Sequence, residues 1–319
     1  MQTTYLTSRD GHRINVYTWS IPAPRGLVHI NHGMAEHALR YAEFAEYLNS
    51  CGFNVVAHNH RGHGPLQQGE LQGHYADTDG WQKLLDDIQL VRDESNPQQL
   101  PYILFGHSMG SFIAQAYALQ HPSNLAALIL SGSNLQAPAL FTLAGYIARI
   151  EQMRKGQRSS SALLNYLSFG SFNNQFKPCR TDFDWLSRDQ HEVDKYIADL
   201  YCGFDCSTQL WRDLFTGLHS ISQANAFKVL PAELPVYLFA GELDPVGRQG
   251  KGMRSLYTRF QKTGHQNVTL QLYPSGRHEM LNEINKKEVM VNITNWLALQ
   301  FAPQSSTIPL NGVTHGCVN

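Results

Sequence analysis

The stretch Tyr102-Ile-Leu-Phe-Gly-His-Ser-Met-Gly110 constrains the chain more than any other. Its apolar run ends abruptly in Gly106-His107-Ser108-Met109-Gly110, a G-x-S-x-G pattern, and the apolar spacing of residues 112–119 predicts a helix directly behind it. A sharp turn from strand to helix forces strained backbone angles on the serine and brings neighbouring segments too close for side chains, which glycine tolerates. Ser108 is then expected to stand clear of a sheet at a helix N-terminus, whose partial positive charge favours an oxyanion.

The rest of the chain supplies such a sheet. Residues 5–8 and 14–19 flank Asp10-Gly11 and predict an opening hairpin. Apolar runs at 26–31, 54–57, 102–105, 125–130, 235–240 and 268–273 alternate with helical spacing, for example Tyr41, Phe44, Ala45 and Leu48, or Met253, Leu256, Tyr257 and Phe260. Regular alternation predicts an α/β fold, a mostly parallel sheet with helices on both faces. From residue 135 to 230 the alternation lapses into helix-like clusters and scattered aromatics, which predicts a mainly helical insertion. The expected organisation is therefore a core of residues 1–134 and 231–302, a helical cap of 135–230, and a tail of 303–319 short of core residues. Within the cap, segment 140–150 carries a single charge, Arg149. It reads as a buried cap helix in preference to a lid edge that touches lipid aggregates, because surface-membrane helices are richer in basic residues.

A serine hydroxyl is a weak nucleophile at neutral pH and needs a base within reach, itself oriented by a carboxylate. On sheets of this kind the chain order is serine, acid, histidine, with acid and base at strand ends. The run ending at Ala240 is followed by Glu242 and Asp244, of which Asp244 is preferred. The run ending at Tyr273 is followed by His278, preferred to His265, which precedes that run. An oxyanion needs two N–H donors: that of Met109, and that of Met34 in the loop His32-Gly33-Met34. His32, His107, Leu140 and Ile147 are expected to line the substrate pocket. The chemistry calls for no metal and no cofactor.

Several motifs, in order and spacing, carry a resemblance: His32-Gly-Met-Ala-Glu-His37 with Arg40-Tyr41, then Arg61-Gly-His-Gly64, Gly106-His-Ser-Met-Gly110, Leu243-Asp244-Pro245 and Gly276-Arg-His-Glu-Met280. Together they resemble the monoacylglycerol lipase and lysophospholipase branch of the α/β-hydrolase superfamily. The resemblance implies the α/β-hydrolase fold with a helical cap, Ser108 as nucleophile, Asp244 as acid, His278 as base, and the N–H groups of Met34 and Met109 as oxyanion donors. It implies hydrolysis of small-molecule or lipid esters through an acyl-enzyme, with a general carboxylesterase as the alternative. One departure stands at Asn59, where the family usually has Asp; since that Asp is outside the triad, altered loop bonding is expected and not lost catalysis.

Other readings rank lower. His58, His60 and His63 form an H-x-H-x-x-H run that suggests zinc, but Gly62 stands where such hydrolases carry an acid. Proline iminopeptidases usually have Trp where this chain has Met109, and a non-catalytic binding protein commonly lacks a triad member. A formal net charge of -1 gives no basic excess for nucleic acid. No apolar run is long enough for stable membrane insertion, which leaves transient lipid contact through the cap. No secretory leader is visible and the five cysteines are sparse and odd in number, so free thiols, Cys202 and Cys206 included, and a cytoplasmic location are expected.

Overall fold

The structure, a computed structural model, describes residues 1–301. The expected tail at 303–319, with Cys317, and residue 302 lie outside the described residues. The expected hairpin is formed by β1 (Gln2–Thr7) and β2 (Arg13–Trp19), paired antiparallel. Six more strands follow: β3 (Leu27–Asn31), β4 (Asn54–His58), β5 (Tyr102–His107), β6 (Ala127–Ser131), β7 (Val236–Gly241) and β8 (Val268–Tyr273). They form one eight-stranded sheet in the order β1-β2-β4-β3-β5-β6-β7-β8. β2 runs antiparallel to β4, and every pair from β4 to β8 is parallel. This is the α/β-hydrolase arrangement, and it brings the loops after β3, β5, β7 and β8 to one edge of the sheet.

Period-two alternation splits each central strand between two cores. Tyr102 and Leu104 of β5, with Val236, Leu238 and Ala240 of β7, join the cluster on one face, whereas Ile103, Phe105, Tyr237 and Phe239 join the other. Both faces must be covered by helices, which parallel crossovers supply. Before the insertion these are α1 (Ala42–Ser50), α2 (Gly80–Ser95) and α3 (Met109–Gln120).

Between β6 and β7 the chain forms α4 (Pro138–Lys155), α5 (Ala162–Phe169), α6 (Gln190–Ala198) and α7 (Thr208–Ile221). Helices α8 (Lys251–Lys262) and α9 (Lys286–Gln300) complete the sheet's cover. α7 is the inner helix of the insertion: Leu210, Trp211, Leu214, Leu218 and Ile221 are buried in the core cluster, and it packs against α2, α3 and α4. α4 corrects the expectation of a buried helix. Only Phe141, Ala148 and Glu151 are buried, while Leu143, Tyr146, Ile150 and Met153 are 58–72% exposed. Its inner face rests on α7, and its outer face is exposed among the described residues.

Candidate active site

β5 runs straight into α3 through Ser108, which is held at φ 52° and ψ −120°. A non-glycine residue in that region costs on the order of 1–3 kcal/mol, and such strain persists only where its surroundings enforce it. They do so here. A Cβ on Gly106 would lie 2.4 Å from the Gly110 carbonyl oxygen, and one on Gly110 would lie 2.2 Å from that of Asn31. The Ser108 N–H donates to the Ser131 carbonyl at 2.9 Å, tying the turn to β6. Met109 is the first residue of α3, where helix N–H groups lack intrahelical acceptors.

The loops after β7 and β8 meet beside this turn. His278 Nδ1 lies 3.0 Å from Asp244 Oδ1, and both side chains are buried. Oδ1 also accepts the Val246 N–H at 2.9 Å, which fixes the carboxylate. Burial pulls the His278 imidazole toward its neutral form, but the charge and hydrogen bond of Asp244 outweigh it, and the pKa ends above the ordinary histidine value. Glu242 is exposed, and His265 faces the Phe260 carbonyl at 3.2 Å. Among the hydrogen bonds of the described residues none joins Ser108 Oγ to His278; such contacts commonly tighten only when substrate binds.

Two cavities open onto Ser108. One, of about 520 Å³, is lined by Met34, Met109 and an apolar wall that includes Leu140, Phe141, Ile147 and Leu214. The other, of about 430 Å³, is lined by Met34, His107 and His278 together with aromatic and acidic side chains. Leu140, Ile147 and His107 line these cavities. His32 does not. Its ring is wholly buried, with Nδ1 2.7 Å from the Gly33 carbonyl and Nε2 accepting the His60 N–H at 3.0 Å, so it braces the loop from behind.

The loop histidines are likewise buried and lie outside the lining of both cavities. His58 Nδ1 faces His29 Nε2 at 2.8 Å, His63 Nδ1 faces the Arg61 carbonyl at 2.9 Å, and the His60 ring packs 4.4 Å from that of His32. Burial holds His58 down to about 3 and His63 to about 4. Among the described residues, the one group of three potential ligands with donor atoms within 4.8 Å is His37, Asp199 and Cys202. It joins Cys202 to residues outside the Cys202/Cys206 pair; the four described cysteines are free thiols. Asn59 accepts the Ala38 N–H at 2.9 Å and donates to the Tyr17 hydroxyl at 3.5 Å; an aspartate there would instead accept from that hydroxyl, reversing the second bond.

Sequence reasoning missed a buried network behind Met34. Glu36 accepts the Gly33 N–H and the Tyr41 hydroxyl, and its other oxygen takes Arg40 Nη1 at 2.6 Å. Arg40 then forks onto Glu279 at 2.6 and 2.7 Å. Burial opposes the Glu279 charge, but Arg40 overrides it and holds the carboxyl down to about 2. The network links the Met34 loop to the residue after His278. The signal was present in Glu36, Arg40 and Glu279 of the quoted motifs, yet nothing local pairs residues 239 positions apart. Trp185 was also unforeseen: its carbonyl accepts the His278 N–H at 3.4 Å, and its ring lies 5.1 Å from the imidazole.

Comparison with known proteins places this fold among ester hydrolases. A monoacylglycerol lipase of Mycolicibacterium smegmatis is 28% identical over 296 residues, covering 90% of this chain and 93% of the relative. A monoglyceride lipase of Homo sapiens is 26% identical over 320 residues, covering 96% and 93%. Among solved structures, a thermostable carboxyl esterase from Bacillus coagulans has a TM-score of 0.86 at 29% identity, covering 94% of this chain and 98% of that one. A lipase in its open form has a TM-score of 0.82 at 27% identity, covering 95% and 99%. The family model described as serine aminopeptidase, S33, matches residues 22–285, from before β3 to the residue preceding α9. By that match the chain belongs to the serine aminopeptidase S33 family of α/β-hydrolases.

Proposed function

We propose that the chain is a serine ester hydrolase that cleaves monoacylglycerols, with Ser108 as nucleophile, His278 as general base and Asp244 as its orienting acid. The observation that carries this reading is the buried Asp244–His278 pair, whose imidazole shares one cavity with strained Ser108, while Ser108 also lines a second, largely apolar cavity. Similarity to monoacylglycerol lipases supports the substrate. His278 takes the Ser108 proton, Oγ attacks the ester carbonyl, and the N–H groups of Met34 and Met109 receive the oxyanion. The acyl chain lies in the apolar cavity beside Leu140 and Ile147. Collapse expels the alcohol with a proton from His278, and water activated by the same imidazole releases the fatty acid.

A general carboxylesterase is the second reading, favoured by similarity to the Bacillus coagulans enzyme. Release of fatty acid from a monoacylglycerol, a lysophosphatidylcholine and a short nitrophenyl ester, with an aminoacyl anilide to represent peptidases, separates these readings. Preference for the monoacylglycerol is expected; cleavage of the nitrophenyl ester alone would leave the esterase, and of the anilide alone a peptidase.

Residues 135–230 act in this proposal as a cap, and the exposed Leu143, Tyr146, Ile150 and Met153 of α4 with Tyr166 and Leu167 of α5 touch lipid aggregates transiently. None of the described helices is long and apolar enough to cross a membrane. Co-sedimentation with vesicles, lost on Ile150→Glu with Leu143→Glu, tests the contact. The free cysteines support a cytoplasmic location, which cell fractionation checks.

A further inference from the structure

The two cavities at Ser108 differ in chemistry. The larger is walled by aliphatic and aromatic side chains, with Arg248 as its one charged residue. The smaller holds six aromatic rings, Tyr166, Phe169, Phe183, Trp185, Tyr196 and Phe204, and no lysine or arginine. Apart from the histidines, its charged lining is wholly acidic. Glu36 and Glu279 lie at the back, and the single Arg40 shared between them leaves that buried trio one negative charge in excess. Asp182 and Asp205 stand exposed in the same lining, and among the described residues neither is in an ion pair; Asp205 is a hydrogen-bond partner of Asn165.

If the acyl chain fills the apolar cavity, the alcohol of the ester falls in the second, where Trp185 stands beside the base. A ring-walled cavity with acidic charges attracts a cation through ring quadrupoles and Coulomb's law, and repels a phosphate. One face of Tyr196 is already taken by Arg40, at 4.9 Å. We infer that the second cavity is a subsite for an ammonium-bearing alcohol, so that the enzyme also cleaves fatty-acyl esters of amino alcohols of the choline class and discriminates against alcohols that carry phosphate. This rests on the ester-hydrolase reading above. The chemistry is unchanged: the Ser108 Oγ–acyl bond forms, the bond from the acyl carbon to the alcohol oxygen breaks, and that oxygen leaves with the proton held by His278.

The test compares four decanoyl esters as substrates: choline, 3,3-dimethylbutanol, glycerol and glycerol phosphate. Dimethylbutanol has the shape of choline with carbon in place of the charged nitrogen. The choline ester is expected to exceed its uncharged isostere about tenfold or more in kcat/KM, with the phosphate ester slowest. Asp182→Asn combined with Asp205→Asn, which keeps an acceptor for Asn165, should bring the choline-to-isostere ratio down severalfold, and added salt should do the same in the wild type. Equal rates for choline ester and isostere, a ratio unmoved in the double variant, or a preferred phosphate ester would overturn the subsite while leaving the hydrolase reading intact. If no ester is cleaved, glycerol included, both readings fall together.

Discussion

In the proposed mechanism Asp244 and His278 act as a buried pair. The carboxylate raises the histidine's affinity for a proton against the pull of burial, so the base is half-protonated at a pH above the ordinary value of 6.5. The predicted acid limb of kcat/KM therefore lies above pH 6.5 and moves down in Asp244→Asn. That variant should also lose activity by about 10⁴-fold, since the amide no longer fixes the ring or its charge. Pre-steady-state or steady-state pH profiles check both. Arg40 offers a different prediction, because it touches no reacting atom. Arg40→Gln leaves Glu36 and Glu279 buried without a cation, and breaking such a pair typically costs 3–5 kcal/mol, readable as a lower urea midpoint. The placement of Ser108 at the turn and of Asp244 beside His278 was legible in the sequence because each follows an apolar run and the chain order is restricted. Glu36, Arg40 and Glu279 were visible as motif letters, but their pairing depends on a fold that joins residues far apart. His32 misled because a histidine beside the oxyanion loop looks functional, whereas its two ring nitrogens are spent on backbone groups.

Among the elements, the β5–α3 turn and α4 show where pattern reading succeeds and where it stops. The turn was readable because its glycines serve contacts that any such turn must make. Gly110→Ala puts a methyl against the Asn31 carbonyl, and the variant should unfold earlier on heating and lose activity, at a cost of 1–3 kcal/mol or more. Thermal unfolding followed by circular dichroism measures it. The strands from β3 to β8 were legible to within a few residues for a related reason, as parallel crossovers impose alternation. α4 was read as buried because it is apolar, yet apolar content says nothing of what lies above a helix. Among the described residues its outer face is exposed, because α7, carrying Leu210, Trp211 and Leu214, already occupies the seat on the core. Only tertiary placement decides which of two apolar helices is inner.

Across the whole molecule, burial of histidine is the unusual load. His29, His32, His58, His60, His63 and His107 are all held below the ordinary value of 6.5, chiefly by desolvation. Below pH 6.5 the unfolded chain takes up protons that the folded chain refuses, so stability falls as pH falls toward the folded values, about 4 for His63 and about 3 for His58 and His107. Each such group contributes a slope of about 1.4 kcal/mol per pH unit in that window. His278 acts with the opposite sign: its raised pKa stabilises the fold below 6.5, and that gain is lost as pH rises through its folded value. Six groups outweigh one, and the urea midpoint is predicted to drop between pH 6.5 and pH 4. A flat profile there would mean that the histidines are not buried as a set. The most direct measurement of function is fatty-acid release from a monoacylglycerol by wild type and Ser108→Ala in parallel. Robust release by wild type and a loss of at least about 10⁴-fold in the variant are predicted. Activity retained by Ser108→Ala, or a wild type inert toward the lipid, would contradict the assignment.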